Sequence, residues 1–122
     1  MKRILIVEDK ATSRELLRTV LEKQGYGVLE AHDGKEALRI LREGVPDLVL
    51  LDLQIPLHNG YEVLREIRRD DRLAAVPVVA LTASAMQGDR EKALAAGFTG
   101  YIAKPVAMAH IRDEVNRLLA AK

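Results

Sequence analysis

The chain has 122 residues, 48% of them hydrophobic and 30% charged, an ordinary balance for one soluble globular domain with a real core. Its 19 basic and 18 acidic side chains leave a net charge of +1, which gives no electrostatic footprint for nucleic acid and no basic face for a membrane. There is no cysteine, so disulfides and thiolate metal sites are excluded. No apolar run approaches the roughly 20 residues of a membrane span, and only Ile4 to Val7 separate Met1-Lys2-Arg3 from Glu8, too short a core for a secretory signal. The expectation is a cytoplasmic protein with no membrane insertion and no direct contact with nucleic acid.

Taken in order, Arg3 to Val7 reads as a first strand that stops at Glu8-Asp9. Thr12 and Ser13 are plausible N-caps of a first helix, with Leu16, Leu17, Val20 and Leu21 as one buried stripe and Gly25 as its C-cap. A second strand covers Gly27 to Ala31. Asp33 then caps a second helix, with Glu36 in a box-like position, Ala37, Leu38 and Leu41 inward, and an end near Gly44. The third strand, residues 47–52, contains four consecutive apolar residues with no helical period, as in a strand buried on both faces of a parallel sheet. It ends in Asp52. A loop containing Pro56 leads to Asn59, which starts a third helix with Val63, Leu64 and Ile67 inward. The charged end of that helix, Arg65, Arg68, Arg69, Asp70, Asp71 and Arg72, is most simply a solvated face. Pro77 begins a fourth strand that stops at Thr82; a fourth helix spans residues 85–96 and stops at Gly97. A fifth strand covers residues 99–103, followed by Lys104-Pro105 and a last helix with Met108, Ile111, Val115 and Leu118 on one face.

Five β-α units in succession imply a parallel sheet covered by helices on both sides and joined by right-handed crossovers. The fold class is α/β, a doubly wound five-stranded parallel sheet for which the common order is 2-1-3-4-5. In such sheets ligands bind beyond the carboxyl ends of the strands, at the switch point between strands one and three. Glu8, Asp9 and Asp52 would converge there. Three neighbouring carboxylates either raise one another's pKa values or hold a cation, and Mg²⁺ suits them: it takes oxygen ligands, keeps several waters and is usually held by one or two carboxylates plus a phosphate. Thr82 and Lys104 end strands four and five at the same edge, and a hydroxyl and an ammonium suit phosphoryl oxygens. A carboxylate nucleophile, Mg²⁺, Lys and a hydroxyl together describe phosphoryl transfer onto Asp52. Taken singly, Lys104 is a surface lysine, Thr82 a strand-end cap and Asp52 a turn residue; the convergence of four strand ends favours the chemistry. His32, His58 and His110 lack metal-ligand spacing and read as surface histidines.

These residues resemble the response-regulator receiver domain of bacterial two-component signalling. The likeness covers essentially the whole chain, as a single receiver domain over 1–122. It rests on Ile6-Val7-Glu8-Asp9, on Asp52 with Pro56 and Gly60, on Leu81-Thr82-Ala83 and on Tyr101-Ile102-Ala103-Lys104-Pro105. The segment from Ala85 to Lys92 and the Gln54-Ile55-Pro56 loop resemble single-domain receivers of the DivK type and the receivers of hybrid histidine kinases. The resemblance implies that Asp52 accepts phosphate from a histidine kinase or histidine phosphotransfer protein. It implies Mg²⁺ on Asp9, Asp52 and the backbone carbonyl of Gln54, with Glu8 acting through water. It further implies Lys104 on the phosphoryl group across a cis bond to Pro105, and Thr82 and Tyr101 as a switch pair. Gln54 and Ser84 occupy positions that in this family influence how long the phosphoryl group lasts, and Ile55 stands where many relatives carry Met. With only Ala120, Ala121 and Lys122 after the last helix, no output domain is expected. The signal would leave through the fourth helix, fifth strand and fifth helix, including Met86, Arg90, Tyr101 and His110, to a downstream protein. The phosphodonor would dock near residues 11–15.

Three other readings fit parts of the pattern. A phosphohydrolase with an aspartyl nucleophile typically carries a second Asp two residues later, where this chain has Gln54. A flavodoxin-like cofactor binder needs a phosphate cradle, and the loop Glu8-Asp9-Lys10-Ala11-Thr12 is acidic and glycine-free. A phosphate-independent scaffold would not need all five of Glu8, Asp9, Asp52, Thr82 and Lys104. The protein is therefore expected to be no enzyme beyond catalysing its own phosphorylation and dephosphorylation.

Overall fold

A computed structural model describes residues 1–55, 59–83, 87–105 and 107–120. Pro56, His58, Ser84, Ala85, Met86, Ala121 and Lys122, which figure in the sequence reading, lie outside the described residues. The strands are β1 (Arg3–Val7), β2 (Gly27–Ala31), β3 (Leu48–Asp52), β4 (Val78–Thr82) and β5 (Gly100–Ala103); the helices are α1 (Ala11–Lys23), α2 (Gly34–Glu43), α3 (Gly60–Arg69), α4 (Asp89–Ala96) and α5 (Met108–Ala120). All pairings are parallel and the order is β2-β1-β3-β4-β5, as expected. Strands β3 and β4 are buried from end to end, and so is β1 beyond Arg3. That explains why they read as unbroken apolar runs rather than alternating ones.

Side chains alternate between two cores. Leu5, Val7, Val49, Leu51, Val78 and Ala80 face α2, α3 and α4, where they meet Ala37, Leu41, Val63, Leu64, Ile67 and Ala93. Ile4, Ile6, Leu48, Leu50, Val79, Leu81 and Ile102 face α1 and α5, against Leu17, Leu21, Ile111, Val115 and Leu119. The same alternation carries Glu8, Asp52 and Lys104 towards the α1/α5 side, and Thr82 and Tyr101 towards the α3/α4 side.

Helix starts with a side-chain cap fall where the sequence places them. Asp33 accepts the Glu36 N–H at 2.7 Å. Asn59 and Glu62 form a reciprocal capping box. The Glu36 carboxylate departs from the box pattern, since it accepts the His32 N–H at 3.0 Å rather than that of Asp33. Helix α1 departs further: its N-cap is Lys10, with no side-chain cap bond, so Thr12 and Ser13 lie inside the first turn. Leu16 is 55% exposed, so the buried stripe narrows to Leu17 and Leu21 with Val20 half-covered. The C-cap is Gln24, and Gly25 follows it at φ +90°, a conformation costly for any residue with a Cβ. Helix α4 starts at Asp89 after Gly88, also at φ +90°, later than the expected 85. Strand β5 starts one residue late because Thr99 is tied to the first residue of β4: its N–H donates to the Val78 carbonyl and its Oγ1 accepts the Val78 N–H.

The charged end of α3 is largely exposed, as expected at Arg65, Arg69, Asp71 and Arg72, but Arg68 departs from a simple solvated face. The Arg68 guanidinium donates to the carbonyls of Val76 (2.7 Å), Ala74 (3.1 Å) and Gly97 (2.8 and 3.1 Å), and burial lowers its pKa. Arg72 pairs with Asp70 and donates to the Leu41 carbonyl. One planar fork thus ties the end of α3 to the β4 approach and to the end of α4. Arg68→Ala is expected to cost about 2–3 kcal/mol in urea denaturation, because carbonyls lose charge-assisted bonds in a partly dry site. A change within ~0.5 kcal/mol, as for an ordinary surface substitution, would contradict this role.

Candidate functional site

The acidic edge is built by strand ends. Glu8 follows β1 and still extends its ladder, its N–H donating to the Ala31 carbonyl at 3.0 Å. Asp52 is the last residue of β3 and Thr82 the last of β4. Glu8, Asp52 and Thr82 are buried, at 0%, 3% and 2% exposure. The Lys104 N–H donates to the Thr82 carbonyl at 2.7 Å, which brings its side chain back over the sheet end. The Lys104–Pro105 bond is cis, as expected. Lys104 Nζ then reaches Glu8 Oε1 at 2.5 Å and Asp52 Oδ2 at 2.8 Å. The other Asp52 oxygen, Oδ1, accepts the Gln54 N–H at 2.8 Å. Gly60 lets α3 begin against the loop after Asp52: a Cβ there would lie 2.6 Å from Leu53 Cδ2 and 2.9 Å from Leu53 Cα.

Glu8, Asp9 and Asp52 each offer a carboxylate oxygen, and these oxygens lie within 4.8 Å of one another. Two of the three are buried while Asp9 is exposed, so the cluster opens to water on one side. Hard oxygen donors, a high density of negative charge and room for retained waters fit Mg²⁺.

Burial pushes the Glu8 carboxyl up to about 7, and the hydrogen bond and charge of Asp52 push the same way, while Lys104 pulls it back. For Lys104, burial pulls down, but the bonds to Asp52 and Glu8 outweigh it and its pKa rises. Between about 4.5, where a Glu ionises in the unfolded chain, and about 7, the metal-free fold binds the proton that the unfolded chain has lost. Stability is therefore full below the lower value and declines as pH rises through 7, by on the order of 3 kcal/mol for this group. In metal-free buffer, Glu8→Gln is expected to gain that much over wild type in urea denaturation on going from pH 5 to pH 8. An equal gap at both pH values would contradict it.

Thr82 and Tyr101 share the opposite face. The Gln54 side chain crosses to them: its Oε1 accepts the Ala83 N–H at 3.1 Å and its Nε2 donates to Thr82 Oγ1 at 2.9 Å. The backbone donor at Ala83 fixes which way round the amide lies. Tyr101 is half-buried against the α3/α4 core, opposite Ala80 in register, and its hydroxyl is buried with no hydrogen-bond partner among the described residues. Arg90 donates to the Tyr101 carbonyl at 3.4 Å. His110 is exposed; His32 is exposed and pairs with Glu36 and Asp33.

Two side-chain contacts here were not read from the sequence. The first is that of Gln54, expected to offer its backbone carbonyl and to influence phosphoryl lifetime, whose amide closes over Thr82. The second is that of Arg14, which donates to the carbonyls of Glu8 (2.9 Å) and Asp9 (3.2 Å). A basic residue five positions after an acidic pair, on the first turns of the next helix, is the only local signal for the second. Beside the carboxylates, a cleft of about 420 Å³ runs between α1 and the start of α5, lined by Glu8, Lys10, Ser13, Leu16, Lys104 and Met108 among others.

Comparison with known proteins places this geometry. The model of the response regulator receiver domain matches residues 4–116. The chain belongs to the response regulator receiver family. As a receiver it is 38% identical over 118 residues to the polar-differentiation response regulator DivK of Brucella anthropi, covering 97% of this chain and 96% of that one. Among solved structures, the receiver domain of the sensor histidine kinase PA1611 from Pseudomonas aeruginosa is 37% identical with a TM-score of 0.88 over 98% of both chains. That structure carries a magnesium ion coordinated in its active site cleft. The chemotaxis response regulator CheY4 of Vibrio cholerae matches with a TM-score of 0.91 at 27% identity, covering 98% of this chain and 99% of that one. The two-component family and the doubly wound fold read from the sequence are those of the protein. Among the described residues no helix is long and apolar enough to cross a membrane.

Proposed function

We propose that this receiver accepts a phosphoryl group on Asp52 from a phosphohistidine of a histidine kinase or phosphotransfer protein. The observation that carries the reading is the meeting of Asp52 with Glu8, Asp9 and Lys104 at one buried strand edge. A carboxylate oxygen of Asp52 attacks phosphorus, the P–N bond breaks, and its electron pair leaves with the imidazole. Glu8, Asp9 and Asp52, with the Gln54 carbonyl, would hold Mg²⁺. When bound, the ion neutralises charge on the transferring group. Lys104 holds the carboxylate in place and supplies a positive charge that follows the phosphoryl oxygens. The Ala83 N–H would exchange the neutral Gln54 Oε1 for a charged phosphoryl oxygen, a stronger partner, and the Thr82 hydroxyl, which accepts from Gln54 Nε2, would donate its own O–H to the phosphoryl group.

Movement of Thr82 towards the phosphoryl group would leave space that Tyr101, whose buried hydroxyl has no partner among the described residues, fills. This biases an existing two-state equilibrium. The change emerges on α4, β5 and α5, where a downstream protein binds. The phosphodonor docks at the cleft by α1, where exposed Leu16 offers an apolar contact next to the carboxylates. The protein catalyses only its own phosphorylation and dephosphorylation, and this receiver domain acts through protein contacts in the cytoplasm.

The test is intact mass after incubation with a small acyl-phosphate donor. One added phosphoryl group with Mg²⁺ and none without it is the expected result. Equal mass in both, or a gain that ignores Mg²⁺, would contradict the proposal.

A further inference from the structure

We infer that Arg14 is a positioning residue for the cation site, holding the β1–α1 loop so that the Glu8 and Asp9 carboxylates meet Asp52. The inference rests on the Mg²⁺ reading of that cluster. The physical problem is local. The Glu8 N–H is still in the ladder, but the carbonyls of Glu8 and Asp9 lie past the end of β1 and need donors from elsewhere. Only Lys10 separates Asp9 from α1, and Lys10 provides no side-chain cap. Within the loop itself the Lys10 N–H reaches Glu8 Oε2, but at 3.5 Å, a long bond that leaves both carbonyls without a donor of their own.

Arg14 supplies what is missing. Its Nη1 donates to both carbonyls, at 2.9 Å to Glu8 and 3.2 Å to Asp9. Its Nε faces Glu30 of β2 at 3.5 Å, and Glu30 also accepts from Arg18 at 2.9 Å. The guanidinium is thus held from the sheet on one side and holds the acidic loop on the other, an arrangement that uses its planar fork and that a lysine's single ammonium does not reproduce. Its backbone is locked as well, the Arg14 N–H making the helical bond to the Lys10 carbonyl at 3.0 Å. Arg14 touches no carboxylate of the cluster; it acts on their backbone, and Glu30 offsets its charge.

The test is Mg²⁺ affinity by isothermal titration, with no phosphodonor present, for wild type, Arg14→Lys and Arg14→Ala. Both variants are expected to bind Mg²⁺ roughly tenfold more weakly, the lower edge of what losing a partner that orients metal ligands costs. The Mg²⁺-induced rise in melting temperature should shrink in parallel. Two results would overturn the inference. Unchanged affinity in both variants, whatever their melting temperature, would make Arg14 a structural contact only. Unchanged affinity in Arg14→Lys with tighter binding in Arg14→Ala would make it merely a nearby positive charge. Failure of the Mg²⁺ reading itself looks different: wild type would show no binding, and the inference would fall with it. Arg14→Lys keeps the charge and the helix propensity, so the question stays answerable if Arg14→Ala folds poorly.

Discussion

Asp52→Ala is expected to abolish phosphoryl acceptance completely while leaving a folded sheet. No other carboxylate at the edge can substitute. Glu8 is fully buried, bonded to Lys104 and raised to about 7. Asp9 is exposed and lies past the strand end. Glu8 is also held by Lys104 and by a backbone N–H, but the bond from the Lys10 N–H is long at 3.5 Å. Asp52 has one oxygen set by the Gln54 N–H and the other by Lys104, both at 2.8 Å, and is the better oriented for in-line attack. The fold should survive because Lys104 keeps Glu8 as a partner. The variant should also carry a lower Glu8 pKa, since both Asp52 contributions raise it; burial, the largest cause, remains. Intact mass with Mg²⁺ and a small acyl phosphate reads the first effect, and a Glu8 carboxyl titration by NMR the second. Phosphoryl gain in Asp52→Ala would contradict the assignment.

Lys104→Ala should slow phosphorylation by roughly 10²-fold or more, the usual cost of removing one preorganised charge from a site where charge develops. The rate should be taken at about pH 8.5 as well as pH 7, because the lysine holds the Glu8 carboxyl down and its loss lets that carboxyl rise further. A defect confined to pH 7 would mean that Lys104 acts only by keeping Glu8 ionised. A defect at both pH values is the expected outcome and makes Lys104 a direct partner of the transferring group.

Much of this was legible in the chain. Residues 4–7, 48–51 and 78–81 announce central parallel strands because a strand buried on both faces has no polar side to show. Asp33 and Asn59 announce their helices because the cap is a side chain. Helix α1 starts from Lys10 with no such cap, so its boundary left no mark and the polar Thr12 and Ser13 misled. Convergence of Glu8, Asp9, Asp52 and Lys104 followed from topology alone, while Thr82 ends its strand at the same sheet edge with its side chain on the other face. The contacts of Arg14, Arg68 and Gln54 did not, for a common reason: their acceptors are mostly backbone carbonyls or distant side-chain groups, which leave no residue-type signature. Burial, which raises Glu8, is likewise a property of the packed molecule and not of its neighbours in sequence.

The central claim is that Asp52 carries the phosphoryl group, and borohydride trapping tests it most directly. The protein is phosphorylated with Mg²⁺ and a small acyl phosphate, reduced, digested and mapped by mass spectrometry. Reduction converts an aspartyl phosphate to homoserine, so homoserine at position 52, dependent on Mg²⁺ and on the donor, is the predicted result. Homoserine elsewhere, or none in protein whose mass shows an added phosphoryl group, would contradict it.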